Sequence, residues 1–169
     1  MAITPASTTN LAQAIQPVFK RVQQACDHDC AFACIAMITN KSLADVLQVA
    51  IDKFGHPAHG PYWIDETLIA KIFAHYGFVS TVYKEVETGI ADIPDVAIVM
   101  VDYDPETEIG RHVVFVRDKS NPKQAVEYMI DPAHWIAPSL HIRNDFKTLV
   151  PAWYIGIHPM KSASAQVKK

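Results

Sequence analysis

The chain has 169 residues, half of them apolar and a fifth charged, with a formal net charge of −3. That length reads as one domain able to bury a core, and the composition is that of an ordinary globular protein. Lys and Arg are scattered, so the electrostatic footprint of a nucleic-acid binder is missing.

The start, Met1 to Asn10, is polar and uncharged, without the basic opening and apolar stretch of a signal peptide. The apolar run Ala31 to Ile38 is far too short to span a bilayer. These features predict a protein made in the cytoplasm, with export by a signal-independent route left open. They predict neither nucleic acid nor membrane as partner, and they leave the oligomeric state unset. The domain is expected over 11–160, between a flexible start (1–10) and a flexible tail (161–169).

In chain order, Leu11, Ala14, Ile15, Val18, Phe19 and Val22 recur at helical spacing, with Pro17 breaking or kinking the segment. Asp29 is placed to cap a helix over Cys30 to Thr39 that ends near Asn40. Ser42 caps the next, Leu43 to Phe54, closed by Gly55. Asp65 opens a third, Glu66 to Tyr76, closed by Gly77. The period then changes. Val79 to Val86, Val96 to Tyr103, His112 to Arg117, Val126 to Ile130 and Trp153 to His158 read as strands, rich in Val, Ile, Tyr and Trp. Helices first and strands after predict an α+β fold with a mainly antiparallel sheet.

The three cysteines, Cys26, Cys30 and Cys34, lie within nine residues. An odd, clustered set points to reactivity, metal binding or packing rather than to a disulfide framework. Cys30 falls where a helix begins. Backbone N–H groups and the helix dipole there favour an anion, so a thiolate at that point has a lowered pKa and is a nucleophile. The apolar helix behind it would hold it rigidly. Gln24, six residues upstream, carries an amide that can donate to a developing oxyanion.

The partners of a nucleophile are distant in sequence. His112 opens the apolar run His112-Val-Val-Phe-Val116, and Asp131 ends the next strand before Pro132. If those strands form an antiparallel hairpin, His112 and Asp131 become neighbours, and the carboxylate fixes the imidazole tautomer.

The pattern Gln24-x5-Cys30, then Cys34-Ile-Ala-Met-Ile, then His112-Val-Val-Phe-Val, then Ile130-Asp131-Pro132-Ala133 resembles the bacteriocin-processing, double-glycine leader peptidases, a family of papain-like cysteine peptidases. The likeness runs from about Gln24 to Ala133. Ala31 stands where that family usually carries glycine after the nucleophile. The resemblance implies a papain-like fold, Cys30 as nucleophile, His112 as base, Asp131 as its orienter and Gln24 as the oxyanion-hole residue. It also implies a peptide or protein substrate and no cofactor. Together these predict a cysteine peptidase that hydrolyses a peptide or isopeptide bond, as a free-standing bacterial effector, toxin or processing peptidase. An amidase or acyltransferase with the same triad is one alternative, and a non-catalytic binding module on the same fold is another.

Other readings of single features compete. Cys34, one turn into the apolar helix, is expected in the core, and Cys26 in a loop. Cys26, His28, Cys30 and Cys34 form a conceivable metal set, but structural zinc prefers two separated ligand pairs. His56 and His59 read as solvated loop residues or as a cleft rim. Tyr62 and Trp63 read as packing residues or as the lining of a substrate groove. His75 sits at a helix end, where the dipole explains it. His134 ranks below His112 as the base. Asp102, Asp104, Glu106 and Glu108 read as a solvated hairpin loop.

Overall fold

A computed structural model describes residues 15–59 and 63–161. Helix α1, Cys30–Thr39, is apolar on every side, and all ten of its residues are buried. A helix of that composition belongs in the core. Asn40 closes it in the left-handed conformation (φ 54°), donating to the carbonyls of Ala36 and Met37. Helix α2, Leu43–Phe54, is amphipathic and starts in a capping box between Ser42 and Asp45. Helix α3, Glu66–His75, starts where the Asp65 carboxylate accepts the Leu68 N–H at 2.7 Å.

Two expectations at the N-terminal side need correction. Of the helical pattern from Leu11 to Val22, Leu11 and Ala14 lie outside the described residues, and 15–25 forms no helix. Pro17 removes a helical donor. Tertiary partners then hold the chain in an irregular course, bent at Val18 and Phe19. The Val18 N–H donates to Tyr128 Oη at 2.8 Å, and the Gln24 N–H donates to the Pro132 carbonyl at 2.9 Å. Arg21 donates to the carbonyls of Asp131, Ala133 and Ile136. Asp29 occupies the cap position of α1 but makes no side-chain bond to the helix. Its carboxylate instead accepts the N–H groups of Ala25 and Cys26, because the loop before the helix folds back within its reach.

Among the described residues seven strands follow: β1 (Phe78–Ser80), β2 (Lys84–Glu85), β3 (Val96–Asp104), β4 (Ile109–Asp118), β5 (Val126–Ile130), β6 (Ile142–Arg143) and β7 (Trp153–Pro159). They form an antiparallel sheet in the order β1-β7-β3-β4-β5-β6, with β2 also on β7. The expected strand over Val79 to Val86 is thus two short pieces, and β6 went unpredicted because its two residues carry no period. With helices before strands and an antiparallel sheet, the fold is α+β.

Alternation along the strands separates two cores. Val114, Val116, Tyr128, Ile130, Ile155 and Ile157 face α1, α2 and α3. Val99, Val101, Val113, Phe115 and Met129 point the other way, where Ile93, Leu149, Ile90 and Phe146 cover them. α1 therefore lies against the middle of the sheet, with its first residue at the β4 end of the helical core. Among the described residues, no single helix is long and apolar enough to cross a membrane.

Candidate active site

Helix α1 brings Cys30 against β4. Cys30 Sγ lies 3.4 Å from His112 Nδ1, and the His112 backbone N–H also points at the sulfur, at 3.4 Å. His112 is an even-numbered residue of β4, in phase with Val114 and Val116, so its ring leaves the sheet on the helical face. It is the fourth residue of the strand rather than its first.

The other ring nitrogen, Nε2, is 2.6 Å from the hydroxyl of Tyr83. Tyr83 precedes β2 and is fixed from α3, where the Glu66 carboxylate accepts its backbone N–H at 2.9 Å. Sequence reasoning missed this residue. Its only signal was an aromatic in a β-rich run, which marks a strand and says nothing about which ring it will meet.

Asp131 is not the neighbour of His112, which corrects the expectation drawn from the hairpin. The hairpin forms, but its register pairs Val114 with Ile130. Continuing that ladder sets Asp131 opposite Val113, one residue out of phase with His112. In a pleated sheet one residue of offset means the opposite face. The fully buried Asp131 carboxylate receives Arg111 Nη1 on both oxygens, at 2.8 and 2.7 Å, and the Ala133 N–H at 2.9 Å. Arg111 also donates to Asp102, a positive-φ residue (51°) at the irregularity in the β3–β4 ladder.

Gln24 is buried, and its side-chain amide donates to the Cys26 carbonyl at 2.9 Å, while Oε1 has no partner among the described residues. The residue braces the loop ahead of α1. Cys34 is buried in the helical core and Cys26 is exposed; all three cysteines are free thiols. Among the described residues, no group of three or more His, Cys, Asp or Glu is gathered to hold a metal ion.

A cleft of about 280 Å³ opens at the Cys30–His112 pair. His28, Ala31, Trp63 and Ile64 line it together with Tyr83, Met100, Glu108, Ile109 and Gly110. Trp63 is largely exposed and meets the His28 ring edge-on, with centroids 4.5 Å apart. Tyr62 lies outside the described residues. Gly110 has little room: a Cβ there would stand 2.6 Å from Met100 Cγ and 2.9 Å from the Val101 carbonyl oxygen. Of the hairpin acids only Glu108 lines the cleft. His56 and His134 meet Phe32 and Trp135 edge-on, His59 is exposed, and none of the three lines the cleft.

Burial governs the electrostatics. It pushes the Cys30 thiol above its ordinary value, and the N–H groups of His112 and Ala31 only partly oppose it. Burial also lowers the His112 imidazolium to about 4. Burial thus works against both charged forms, and against the low-pKa thiolate expected at the helix start. The Tyr83 phenol is pushed up as well, chiefly by burial, and stays protonated. The geometry suits general-base activation of a sulfur nucleophile at the floor of a largely apolar cleft.

No protein-family model matches the sequence, and no curated protein matches it significantly. Solved structures do match. The peptidase domain of Streptococcus ComA, a bifunctional ABC transporter of a quorum-sensing pathway, superposes with a TM-score of 0.53 at 18% identity, over 83% of this chain and 98% of that domain. A double-glycine motif protease from an AMS/PCAT transporter, solved with its leader peptide, gives a TM-score of 0.53 at 15% identity, over 84% and 92%. The chain has the fold of these peptidase domains. Within that fold Cys30 and His112 face each other across the junction of helix and sheet, while Tyr83 meets the far side of the imidazole and Asp131 holds Arg111.

Proposed function

We propose that the protein is a cysteine peptidase acting on a peptide or protein substrate, with Cys30 as nucleophile and His112 as general base. The observation that carries this reading is the 3.4 Å approach of Cys30 Sγ to His112 Nδ1 at the floor of a cleft, on a peptidase fold. One neighbour was solved with a leader peptide in place, which supports a peptide as the substrate class and processing of a peptide precursor as the setting.

As the carbonyl carbon of the scissile bond meets Cys30 Sγ, the thiol proton moves to His112 Nδ1 and the C–S bond forms. Charge collects on the carbonyl oxygen. The start of α1 offers N–H donors there, and the second proton of the Gln24 amide is a further candidate donor. His112 Nδ1–H then protonates the leaving amine as the C–N bond breaks. Water, deprotonated by the same nitrogen, releases the acyl group from sulfur. Asp131 enters this scheme through Arg111, the residue before the base, and so as a support of β4.

The test is cleavage of a mixed peptide library followed by mass spectrometry. Wild-type protein should yield products, Cys30→Ala none, and His112→Ala fewer by a factor of about 10²–10⁴. Cleavage that survives in Cys30→Ala defeats the proposal. A wild type that cleaves nothing, and whose Cys30 alkylates no differently after His112→Ala, points to the binding module.

A further inference from the structure

We propose that Tyr83 is the positioning residue of the base: its hydroxyl accepts the Nε2 proton of His112, which leaves Nδ1 bare toward Cys30. The inference deepens the peptidase reading and rests on its assignment of nucleophile and base. Four observations carry it. Tyr83 Oη and His112 Nε2 are 2.6 Å apart, while Nδ1 on the opposite edge of the same ring is 3.4 Å from Cys30 Sγ. The Tyr83 backbone is anchored to Glu66 of α3, so the hydroxyl is held from an element other than those carrying Cys30 and His112. The phenol is half-buried and packs on the helical core, which limits its rotation. The carboxylate that would otherwise serve the ring is occupied by Arg111 and the Ala133 N–H on the other face of the sheet.

A neutral imidazole holds one proton, and the hydrogen bond at one nitrogen decides which nitrogen is free. For Nδ1 to accept from the thiol, the proton must sit on Nε2, and a proton on Nε2 needs an acceptor at hydrogen-bond distance. Tyr83 Oη is the acceptor there. Among the described residues, the titratable groups bonded to the ring are Cys30 from α1 and Tyr83; His28 and Glu108 line the same cleft, and Arg111, next to it on β4, is turned to Asp131 and Asp102. A phenol differs from a carboxylate in one respect. It orients the ring without a full negative charge, so it supports the imidazolium of the reaction less.

The tautomer is read directly from the ¹⁵N shifts of His112 in the whole protein at pH 7. Wild type should show a protonated Nε2 and a bare Nδ1. Tyr83→Phe, which keeps the ring and removes only Oη, should show a mixture of the two tautomers. Its rate of Cys30 alkylation by iodoacetamide at pH 7 should fall by about 10–100-fold, since a wrong tautomer can cost a triad up to about 10⁴. The same melting temperature in wild type and Tyr83→Phe excludes lost folding as the cause. A wild-type spectrum with the proton on Nδ1 overturns the proposal. So does a Tyr83→Phe protein with an unchanged spectrum and unchanged alkylation. The nitrogen spectrum needs no turnover, so it decides the role of Tyr83 even where peptide cleavage fails and the peptidase reading falls with it.

Discussion

Two side chains one residue apart, Arg111 and His112, divide the work of β4 between its two faces. Asp131 has no water to fall back on, so its charge depends on Arg111 and one N–H. Removing one member of such a pair leaves the other uncompensated. Arg111→Ala, which leaves the buried Asp131 carboxylate with the Ala133 N–H alone, should therefore cost about 3–5 kcal/mol in urea unfolding; a loss under about 1 kcal/mol would contradict a buried pair and fit a surface one. His112 makes a prediction in pH. Its folded pKa of about 4 lies below the ordinary 6.5. Between those values the unfolded chain binds the extra proton and the folded one does not, so stability is complete above pH 6.5 and is lost as pH falls towards 4. The shift corresponds to about 3 kcal/mol. Urea midpoints measured from pH 7 to 4 should fall more steeply for wild type than for His112→Gln. Parallel profiles would mean that the imidazole is not held neutral by burial.

At the scale of elements, the cleft depends on a close approach between β3 and β4. Gly110 stands where a side chain would press on Met100 and on the Val101 carbonyl. The methionine can swing aside, but the carbonyl belongs to the ladder and cannot. Gly110→Ala should cost about 1–3 kcal/mol by overpacking and slow Cys30 alkylation, because the strand that carries His112 must move. Unchanged alkylation in a destabilised variant would show that the strain relaxes toward the hairpin end instead. The motion would then spare His112, two residues further along the strand.

At the scale of the whole molecule, the helical core is the larger of the two and fixes α1 against the sheet. Phe73 of α3 is fully buried there, as is Phe32, two residues past Cys30. Phe73→Ala should lower stability by about 3–5 kcal/mol in denaturant titration. Because Phe73 does not line the cleft, the rate of Cys30 alkylation in the protein that stays folded should be close to wild type. A large drop in that rate at unchanged fold would mean that the core position of α3, which also anchors Tyr83 through Glu66, sets the geometry of the base.

The sequence by itself determined the local structure: α1 from its unbroken apolar run, α2 from Ser42 and Gly55, and β3, β4, β5 and β7 from their branched and aromatic residues. It also singled out Cys30 and His112, not from either residue alone but from the ordered set Gln24, Cys30, His112 and Asp131 and its likeness to the leader peptidases. What it did not determine was whom each polar group meets. The hairpin between β4 and β5 was legible, but its register was not, and one residue of register moved Asp131 from His112 to Arg111. The arm at 15–25 carried a helical period that Arg21, Val18 and Gln24 overrode with long-range bonds. Tyr83 was invisible for the same reason. Periodicity and capping act over a few residues, whereas the partner of an imidazole 29 residues away is chosen by how three separate elements pack.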